Sequence, residues 1–348
     1  MRVGGPARFW CEPTTFGELQ EACVYAHTHN APIVVLGGGS NVVIRDRGIN
    51  ALVMRMRLSG IEIVREDADE VLVRVGAGES WDALVAWTVA RGWWGLENLS
   101  GIPGTVGAAP IQNINAYGSS VADTIVSVET YHPDQDVHTT FDTPACRFAY
   151  RDSVFKQAEG KGWVVTAVLF RLSRVPHAHT AYRSASNAME RYFAEHNITK
   201  PSIGDVRDAV LSIRKKIGML EGCYRSAGSF FKNTLLGSEQ FARVKEIVMC
   251  DHAALAERLS PWYWELPDGR VKVSTAFLLE CTPYNKTAFA DRAFRDTVGI
   301  SPVHSLSLIN LSNARASDIE AFMHEMIEAV ASQFFITIEP EVLFLGDA

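Results

Sequence analysis

The sequence lacks the patterns of several common protein classes. No apolar run reaches the ~20 residues that span a membrane, and the N-terminus lacks the pattern of a signal peptide. Positive charge is not in excess, because 33 lysines and arginines face 40 aspartates and glutamates, giving a net charge of −7. We therefore expect no membrane and no nucleic acid as a partner, although a local basic pocket could still bind an anionic substrate.

Metal and disulfide motifs are missing too. The six cysteines are scattered without CxxC spacing, and the ten histidines form no HExxH motif. This usage favours reduced thiols in a cytoplasm over a disulfide framework or a zinc site, and we expect no metal. The 348 residues, 47% of them hydrophobic, are enough for two or three globular domains.

The most unusual stretch spans residues 95–118. Its five glycines are Gly95, Gly101, Gly104, Gly107 and Gly118. Glycines let a backbone approach a ligand closely, and an amide pair at Gln112 and Asn113 adds donors and acceptors. A flat heteroaromatic ring with polar edges would fit such a wall, and we expect a valine at Gly107 to enter its space. On composition alone, a long structural loop is an equal alternative.

A second glycine-rich stretch excludes a Rossmann fold. A buried strand at residues 33–36 leads into residues 37–41, but a GxGxxG motif would need glycine at Val42. The residues that follow have the pattern of strands, so no helix N-terminus receives a pyrophosphate. A Gly-Ser-Asn turn could still form a nest of N–H groups for phosphate, with a plain tight turn as the alternative.

Local patterns predict further elements on both sides of these loops. Capping boxes are predicted at Thr15 and Ser317, and helix caps at Ser80 and Ser238. A further helix is predicted over residues 205–216, and strands over residues 71–75, 124–131, 163–172 and 303–310.

Three polar positions interrupt otherwise apolar or structural sequence. Residues 150–152 read Tyr-Arg-Asp, which a strand does not require and which could also be a salt-bridged surface turn. Ser229 lies between Gly228 and two phenylalanines in a rigid apolar slot, but GxSxG is absent, so it is no nucleophile elbow. Glu341 precedes an apolar strand and is a candidate for a desolvated acid.

Residues 95–107 and 110–118 together resemble the flavin-binding signature of the UDP-N-acetylenolpyruvoylglucosamine reductase (UDP-N-acetylmuramate dehydrogenase) family. The resemblance covers nearly the whole chain, in order, through five separated motifs, and favours the long-loop (type I) subclass. It implies an α+β fold in which a two-domain FAD-binding fold of the vanillyl-alcohol-oxidase/PCMH type precedes an α+β substrate-binding domain. The expected units are residues 1–57 and 58–216 for the two FAD-binding subdomains, 217–330 for the substrate domain, and 331–348 for a segment that returns to the active site.

The resemblance also implies an activity. NADPH would reduce a non-covalent FAD, which would reduce UDP-N-acetylglucosamine enolpyruvate to UDP-N-acetylmuramate for peptidoglycan synthesis. The expected enzyme is a cytoplasmic monomer. A lead-in usually precedes the first strand in this family, so we expect the sequence to be short at its N-terminus.

The site residues follow from matching positions. The resemblance makes Arg151, Ser229 (the proton donor) and Glu341 catalytic, and places Tyr150, Tyr182, Lys232 and Asn233 at the substrate. It places the following residues at the flavin: Gly37, Gly38, Gly39, Ser40, Asn41, Ile102, Pro103, Gly104, Thr105, Gly107, Ala108, Gln112, Asn113, Tyr117, Gly118 and Val165.

The chain departs from the family pattern mainly around the substrate. Residues 215–218 read Lys-Lys-Ile-Gly where Lys-Leu-Pro is common, so a phosphate-binding lysine is displaced or supplied by Lys215 or Lys216. Residues 223–226 replace a small glycine-rich lead-in, and Leu343 stands at an often polar position. Two other classes remain open: a flavin oxidase of the same fold, which would commonly tether flavin through His or Cys, and a nucleotide-sugar binder without catalysis.

The first prediction concerns the cofactor. Because neither His nor Cys stands in the central motif, acid precipitation of the purified protein should leave FAD in the supernatant and a colourless pellet. Flavin that stays on the pellet, or a protein that carries none, would contradict non-covalent FAD.

Overall fold

A small parallel sheet begins the chain in the computed structural model, which describes residues 1–180 and 187–347. Its strands lie in the order β1-β4-β2. The elements of this region are β1 (Ala7–Cys11), α1 (Phe16–Thr28), β2 (Ile33–Leu36), β3 (Val42–Ile44) and β4 (Ile49–Arg55). The predicted capping box at Thr15 is confirmed, since its hydroxyl accepts from the Glu18 N–H and Glu18 bonds back to the cap.

A five-stranded antiparallel sheet forms the second region, in the order β10-β9-β11-β6-β5. Its elements are β5 (Ile61–Glu66), β6 (Glu70–Gly76), α2 (Trp81–Val89), α3 (Ala109–Gln112), β7 (Asn115–Ala116), β8 (Ser119–Ser120), β9 (Ile125–His132), β10 (Val137–Asp142), β11 (Val164–Ser173), α4 (Ala188–Glu195) and α5 (Ile203–Lys216). The predicted strands at 71–75, 124–131 and 163–172 are confirmed as β6, β9 and β11. Ser80 is confirmed as the N-cap residue of α2, although its side chain makes no capping hydrogen bond.

The third region combines helices with two small antiparallel sheets, β12-β14-β13 and β15-β16. Its elements are β12 (Thr234–Leu236), α6 (Ser238–Asp251), α7 (Ala253–Arg258), β13 (Tyr263–Glu265), β14 (Val271–Val273), α8 (Thr275–Glu280), β15 (Val298–Ser301), β16 (His304–Asn310) and α9 (Ala316–Phe334). The predicted strand at 303–310 is confirmed as β16. Ser238 is the first helical residue of α6 and not its cap, which is Gly237.

The chain then returns to its beginning. Strand β17 (Leu343–Leu345) pairs in parallel with β3, with Leu343 opposite Val42. Val43 of β3 is fully buried in the hydrophobic core of the third region, so the first and third regions share a core at this point.

The architecture is α+β, as predicted, and is not a Rossmann fold, because a strand and not a helix follows residues 37–41. The expected domain boundaries stay predictions, except that α9 runs through the one at 330/331 and continues to Phe334. Within the described ranges, no helix is long and apolar enough to cross a membrane.

The capping box predicted at Ser317 is wrong, and the reason lies far away in the sequence. Helix α9 starts at Ala316 with Arg315 as its cap residue. Asp46, just beyond β3, accepts from the N–H groups of Ala316 at 2.8 Å and Ser317 at 3.1 Å. A side chain of the first region therefore caps a helix of the third region.

Asp46→Ala should destabilise the protein by about 1–2 kcal/mol, the scale of a lost helix cap. Burial opposes ionisation of Asp46, but hydrogen bonds from Ser317 and Ala316 hold its pKa below the ordinary value. This contribution is therefore complete above the unfolded pKa, ~3.9, and is lost as pH falls through the lower folded pKa.

Thermal unfolding at neutral and acidic pH measures this difference. The matched control is Glu239→Ala, because Glu239 forms an exposed ion pair with Arg243 within α6. Removing this pair should change the free energy of unfolding by less than about 0.5 kcal/mol. Equal losses of unfolding free energy in the two variants at neutral pH would contradict the capping of α9 by Asp46.

Candidate active site

The two glycine-rich loops lie against each other. A Cβ on Gly38 would stand only 2.8 Å from the Cα of Gly104, so Gly38 has to be a glycine for the loops to approach. The Ser40 hydroxyl also donates to the Pro103 carbonyl at 3.2 Å. The stretches that the sequence assigned to one ligand thus form one continuous surface.

A cleft of about 740 Å³ opens along this surface. Gly38, Ser40 and residues 103–105 line one side. Glu12, Arg55 and Arg57 line it as well, and the sequence reasoning missed all three. Arg57 Nε lies 2.8 Å from a Glu12 carboxylate oxygen. Their position could have been inferred, because Arg55 ends β4 and Glu12 follows β1, and parallel strands end at one edge of a sheet.

The cleft wall has features that fit a bound polar ligand. The Thr105 hydroxyl is buried and has no hydrogen-bond partner among the described residues, which is rare for a buried hydroxyl. Gly39 has a positive φ of 66°, and a Cβ there would meet only open space. These residues fit a phosphate-bearing cofactor such as FAD.

Gly107 has a different reason for being glycine than the one we predicted. A Cβ at this position would lie 2.6 Å from the Cβ of Ala77, in space that the chain itself occupies. A valine at Gly107 would therefore clash with the end of β6, and loss of flavin in such a variant would not identify a contact with the ring.

Asn113 also has a structural task. Its backbone is left-handed, with φ 46°, and its side chain is buried. The amide donates to the Ala149 carbonyl at 2.9 Å and accepts from the Ser120 hydroxyl at 2.7 Å. Most of its hydrogen-bonding capacity thus orders the neighbouring turns, and its expected flavin contact stays a prediction.

The remaining cofactor positions are distributed around the same loops. Tyr117 and Gly118, both with positive φ, form the tip between β7 and β8. Val165 is buried in the core of the second region, on β11. Flavin contacts at Ile102, Ala108 and these positions stay predictions.

Three side chains from distant segments meet at one end of the loops. Asn41 donates to the Gln112 side-chain oxygen at 2.7 Å, and Gln112 donates to the Glu341 carboxylate at 2.7 Å. Asn41 also donates to the Glu341 backbone carbonyl at 3.2 Å. This network, which we call the Asn41–Gln112–Glu341 bridge, joins the two glycine loops to the returning C-terminal segment.

Arg151 adds a positive charge to this bridge. Its Nε lies 3.0 Å from a carboxylate oxygen of Glu341, and the two side chains are only 18% and 11% exposed. The contact is an ion pair and not a hydrogen bond, because this buried N–H has no acceptor in hydrogen-bonding geometry among the residues described. A guanidinium with a free donor is suited to bind an anionic ligand.

Ser229 precedes Phe230, and Phe230 is bonded to Glu341 through the backbone. The Glu341 N–H donates to the Phe230 carbonyl at 2.8 Å, and the Phe230 N–H donates to Leu306 of β16 at 2.8 Å. Phe230 is fully buried, and Gly228 has a positive φ of 78°. The half-buried Ser229 is thus held between an anchored phenylalanine and a turn, beside the carboxylate segment.

Three of the four expected substrate residues, Tyr150, Lys232 and Asn233, lie beside this centre. The Tyr150 hydroxyl accepts from the Asn233 N–H at 3.3 Å. Lys232 forms an ion pair of 2.9 Å with the exposed Glu339. Tyr182 lies outside the residues that the structure describes, so its expected role stays a prediction.

Two further lysines near Arg151 were missed by the sequence reasoning. Burial, and then the nearby Arg151, lower the pKa of Lys272, whose ammonium lies 5.0 Å from the ring centre of Trp264. Burial, and then Lys232, lower the pKa of Lys156. Lys156 follows the Tyr-Arg-Asp motif by four residues and could have been found from it, whereas nothing local marks Lys272. No group of three or more His, Cys, Asp or Glu able to hold a metal occurs within 1–180 and 187–347.

Two family models match the chain. One, described as an FAD binding domain, matches residues 7–140. The other, described as the C-terminal domain of UDP-N-acetylenolpyruvoylglucosamine reductase, matches residues 220–345. The predicted class of FAD-binding fold with a C-terminal substrate domain is confirmed.

Similar proteins span almost the whole length. The UDP-N-acetylenolpyruvoylglucosamine reductase of Thermobifida fusca is 37% identical over 99% of this chain and 95% of its own. That of Pseudomonas aeruginosa is 35% identical over 96% of this chain and 92% of its own. A crystal structure of the reductase from Thermus caldophilus shares the fold, with a TM-score of 0.63 at 24% identity over 99% of this chain and 94% of that one.

The contact between the glycine loops can be tested with Gly38→Ala. The added Cβ should push the loops apart, at a cost of about 1–3 kcal/mol for overpacking, and weaken flavin retention at least about tenfold. The flavin-to-protein ratio after extended dialysis measures the effect. Gly17→Ala is the control, because a Cβ at Gly17 on α1 would meet nothing within 4 Å. A Gly38→Ala protein that retains as much flavin as this control would contradict the proposed surface.

Proposed function

The chain belongs to the UDP-N-acetylenolpyruvoylglucosamine reductase family, and from this premise we propose how its residues divide the reaction. The enzyme reduces the enolpyruvyl group of UDP-N-acetylglucosamine enolpyruvate with NADPH, giving UDP-N-acetylmuramate. When bound, FAD accepts the reducing equivalents of NADPH and delivers them to the enolpyruvyl double bond. The observation that carries the assignment of residues is the Arg151–Glu341 pair beside the Asn41–Gln112–Glu341 bridge.

The glycine loops would hold the cofactor. Backbone N–H groups at residues 37–41 suit the pyrophosphate, and the free Thr105 hydroxyl suits a further polar atom of the ligand. The Asn41–Gln112–Glu341 bridge joins these loops to the catalytic carboxylate, so the reactive end of the cofactor would lie near it.

Arg151 would bind the substrate carboxylate. Its guanidinium is charged at all relevant pH values and can bind a carboxylate in a planar, bidentate manner. The substrate would then compete with Glu341 for the same cation, which now stands 3.0 Å from the Glu341 oxygen. Substrate binding would thus separate Glu341 from the Arg151 guanidinium and place the substrate carboxylate near Glu341.

Glu341 would stabilise the enolate that forms at the substrate carboxylate. A carboxyl group next to another carboxylate favours its protonated form. In that form Glu341 could donate a hydrogen bond to the enolate oxygen, while Gln112 holds its position through the 2.7 Å contact. The proton on Glu341 would be taken up from solvent when the substrate displaces the ion pair.

Ser229 would deliver the proton to carbon. A serine hydroxyl is a weak acid, but a carbanion is a base strong enough to take its proton. The anchored Phe230 and the turn at Gly228 fix the hydroxyl beside the Glu341 segment. Tyr150, Tyr182, Lys232 and Asn233 would hold the nucleotide sugar.

We also propose that the enzyme is a monomer of the cytoplasm and belongs to the long-loop subclass. All six cysteines are unpaired in the structure, which suits a reducing compartment.

The proposed role of Ser229 separates the two half-reactions. Ser229→Ala removes one hydroxyl and little volume, so NADPH should reduce the flavin at a near-normal rate. Reoxidation by UDP-N-acetylglucosamine enolpyruvate should slow by on the order of 10²-fold or more, the scale of a lost proton donor. Anaerobic stopped-flow absorbance at the flavin band measures each half separately.

Two further variants are compared with Ser229→Ala. Arg151→Lys should slow the same half-reaction, because an ammonium cannot reproduce the planar fork. Ser332→Ala, on the exposed surface of α9, should change neither half. If Ser229→Ala slows both halves equally, or neither, Ser229 is a packing residue and not the proton donor.

A further inference from the structure

Arg151 stands at the tip of a strained turn. The Ala149 N–H donates to the Asp152 carbonyl at 3.0 Å, and the Asp152 N–H donates back at 3.2 Å, which leaves Tyr150 and Arg151 as the two tip residues. Arg151 has a positive φ of 54°. A left-handed conformation costs a residue with a Cβ about 1–2 kcal/mol, so the surroundings must hold it in place.

Lys156 stabilises this turn through a hydrogen bond. It ends a short 3-10 helix, Val154–Lys156, and its ammonium donates to the Arg151 carbonyl at 2.8 Å. The turn's own hydrogen bonds use the carbonyls of Ala149 and Asp152, so the Arg151 carbonyl is bound from outside the turn.

The position of Lys156 is unusual for a lysine that serves only solubility. Its side chain is half-buried, and the charged groups around it are Lys232, Asp152, Glu341 and Arg151. Burial and the like charge of Lys232 lower its pKa, so the fold keeps a cation in a place that disfavours one.

We propose that Lys156 is a positioning residue for catalysis, which aims the Arg151 guanidinium at the substrate carboxylate by fixing the left-handed turn through the Arg151 carbonyl. This inference rests on the proposed role of Arg151. Without the ammonium, the turn can relax to an ordinary conformation, and the guanidinium then leaves the position that the substrate requires.

The test compares Lys156→Met with Lys161→Met, an exposed lysine in the same segment. In Lys156→Met, reoxidation of the flavin by UDP-N-acetylglucosamine enolpyruvate should slow by on the order of 10- to 10²-fold, the effect of about 1 Å of misplacement. Reduction by NADPH should stay within about threefold of wild type, because that step does not use the carboxylate clamp. Lys156→Arg should recover most of the lost rate, since a guanidinium can donate to the same carbonyl.

A double-mutant cycle with Arg151→Ala separates positioning from a general loss of structure. If Lys156 acts through Arg151, adding Lys156→Met to Arg151→Ala should slow reoxidation no further. Additive losses, equal slowing of both half-reactions in Lys156→Met, or no slowing at all would overturn the proposal. Should Lys156→Met fail to fold, Lys156→Arg and Lys156→Leu carry the same test. Leucine has no donor for the Arg151 carbonyl, so only arginine should retain the substrate half-reaction, and equal rates would overturn the proposal.

Failure of this inference can be told from failure of the proposed function. If wild-type reduced flavin is not reoxidised by the enolpyruvyl substrate, the proposed function is wrong. If it is reoxidised and the cycle is additive, only the role of Lys156 is wrong.

Discussion

The pairing of β17 with β3 decides where the Glu341 carboxylate stands. This short parallel pair brings the last residues of the chain to the loop that follows β2, 300 positions earlier, as the hydrogen bond between Asn41 and Glu341 shows. The bond from Gln112 goes to the charged carboxylate, and such bonds contribute about 1.5–3 kcal/mol. Asn41 adds a bond to the Glu341 backbone carbonyl, so the position of Glu341 is well defined. The interdomain cap from Asp46 to α9 fixes the far end of β3 in the same way.

The position of Glu341 also determines its contact with Arg151. Glu341 can meet Arg151 only because the turn at residues 149–152 projects the guanidinium toward it, and that turn is held by Asn113 and Lys156. The buried ion pair is costly to form, and removing one partner would leave the other without compensation. In the mechanism proposed above, a substrate carboxylate would replace Glu341 at Arg151 and neutralise this cation. The ion pair would then be the resting form of the substrate site.

The sequence predicted what depends on neighbours in the chain, and it missed what depends on distant ones. The helix at Thr15 was found because its cap and its apolar face lie within a few residues. The prediction of a cap at Ser317 was wrong, because the capping side chain is Asp46, which precedes Ala316 by 270 positions. Gly107 was assigned to the ligand, although its close neighbour is Ala77. A glycine in the sequence indicates that something approaches the backbone closely, but it does not identify the partner. Arg151, Ser229 and Glu341 were named through family resemblance. The contact between Arg151 and Glu341, and the hydrogen bond from Lys156 to the Arg151 carbonyl, required the fold.

We propose that Arg151 holds the enolpyruvyl nucleotide sugar that receives the reducing equivalents of the bound flavin. This transfer is measured most directly by photoreducing the purified protein without oxygen and then adding UDP-N-acetylglucosamine enolpyruvate. The oxidised flavin band should return at once, and UDP-N-acetylmuramate should form in stoichiometric amount. A flavin that stays reduced until oxygen is admitted would contradict this proposal.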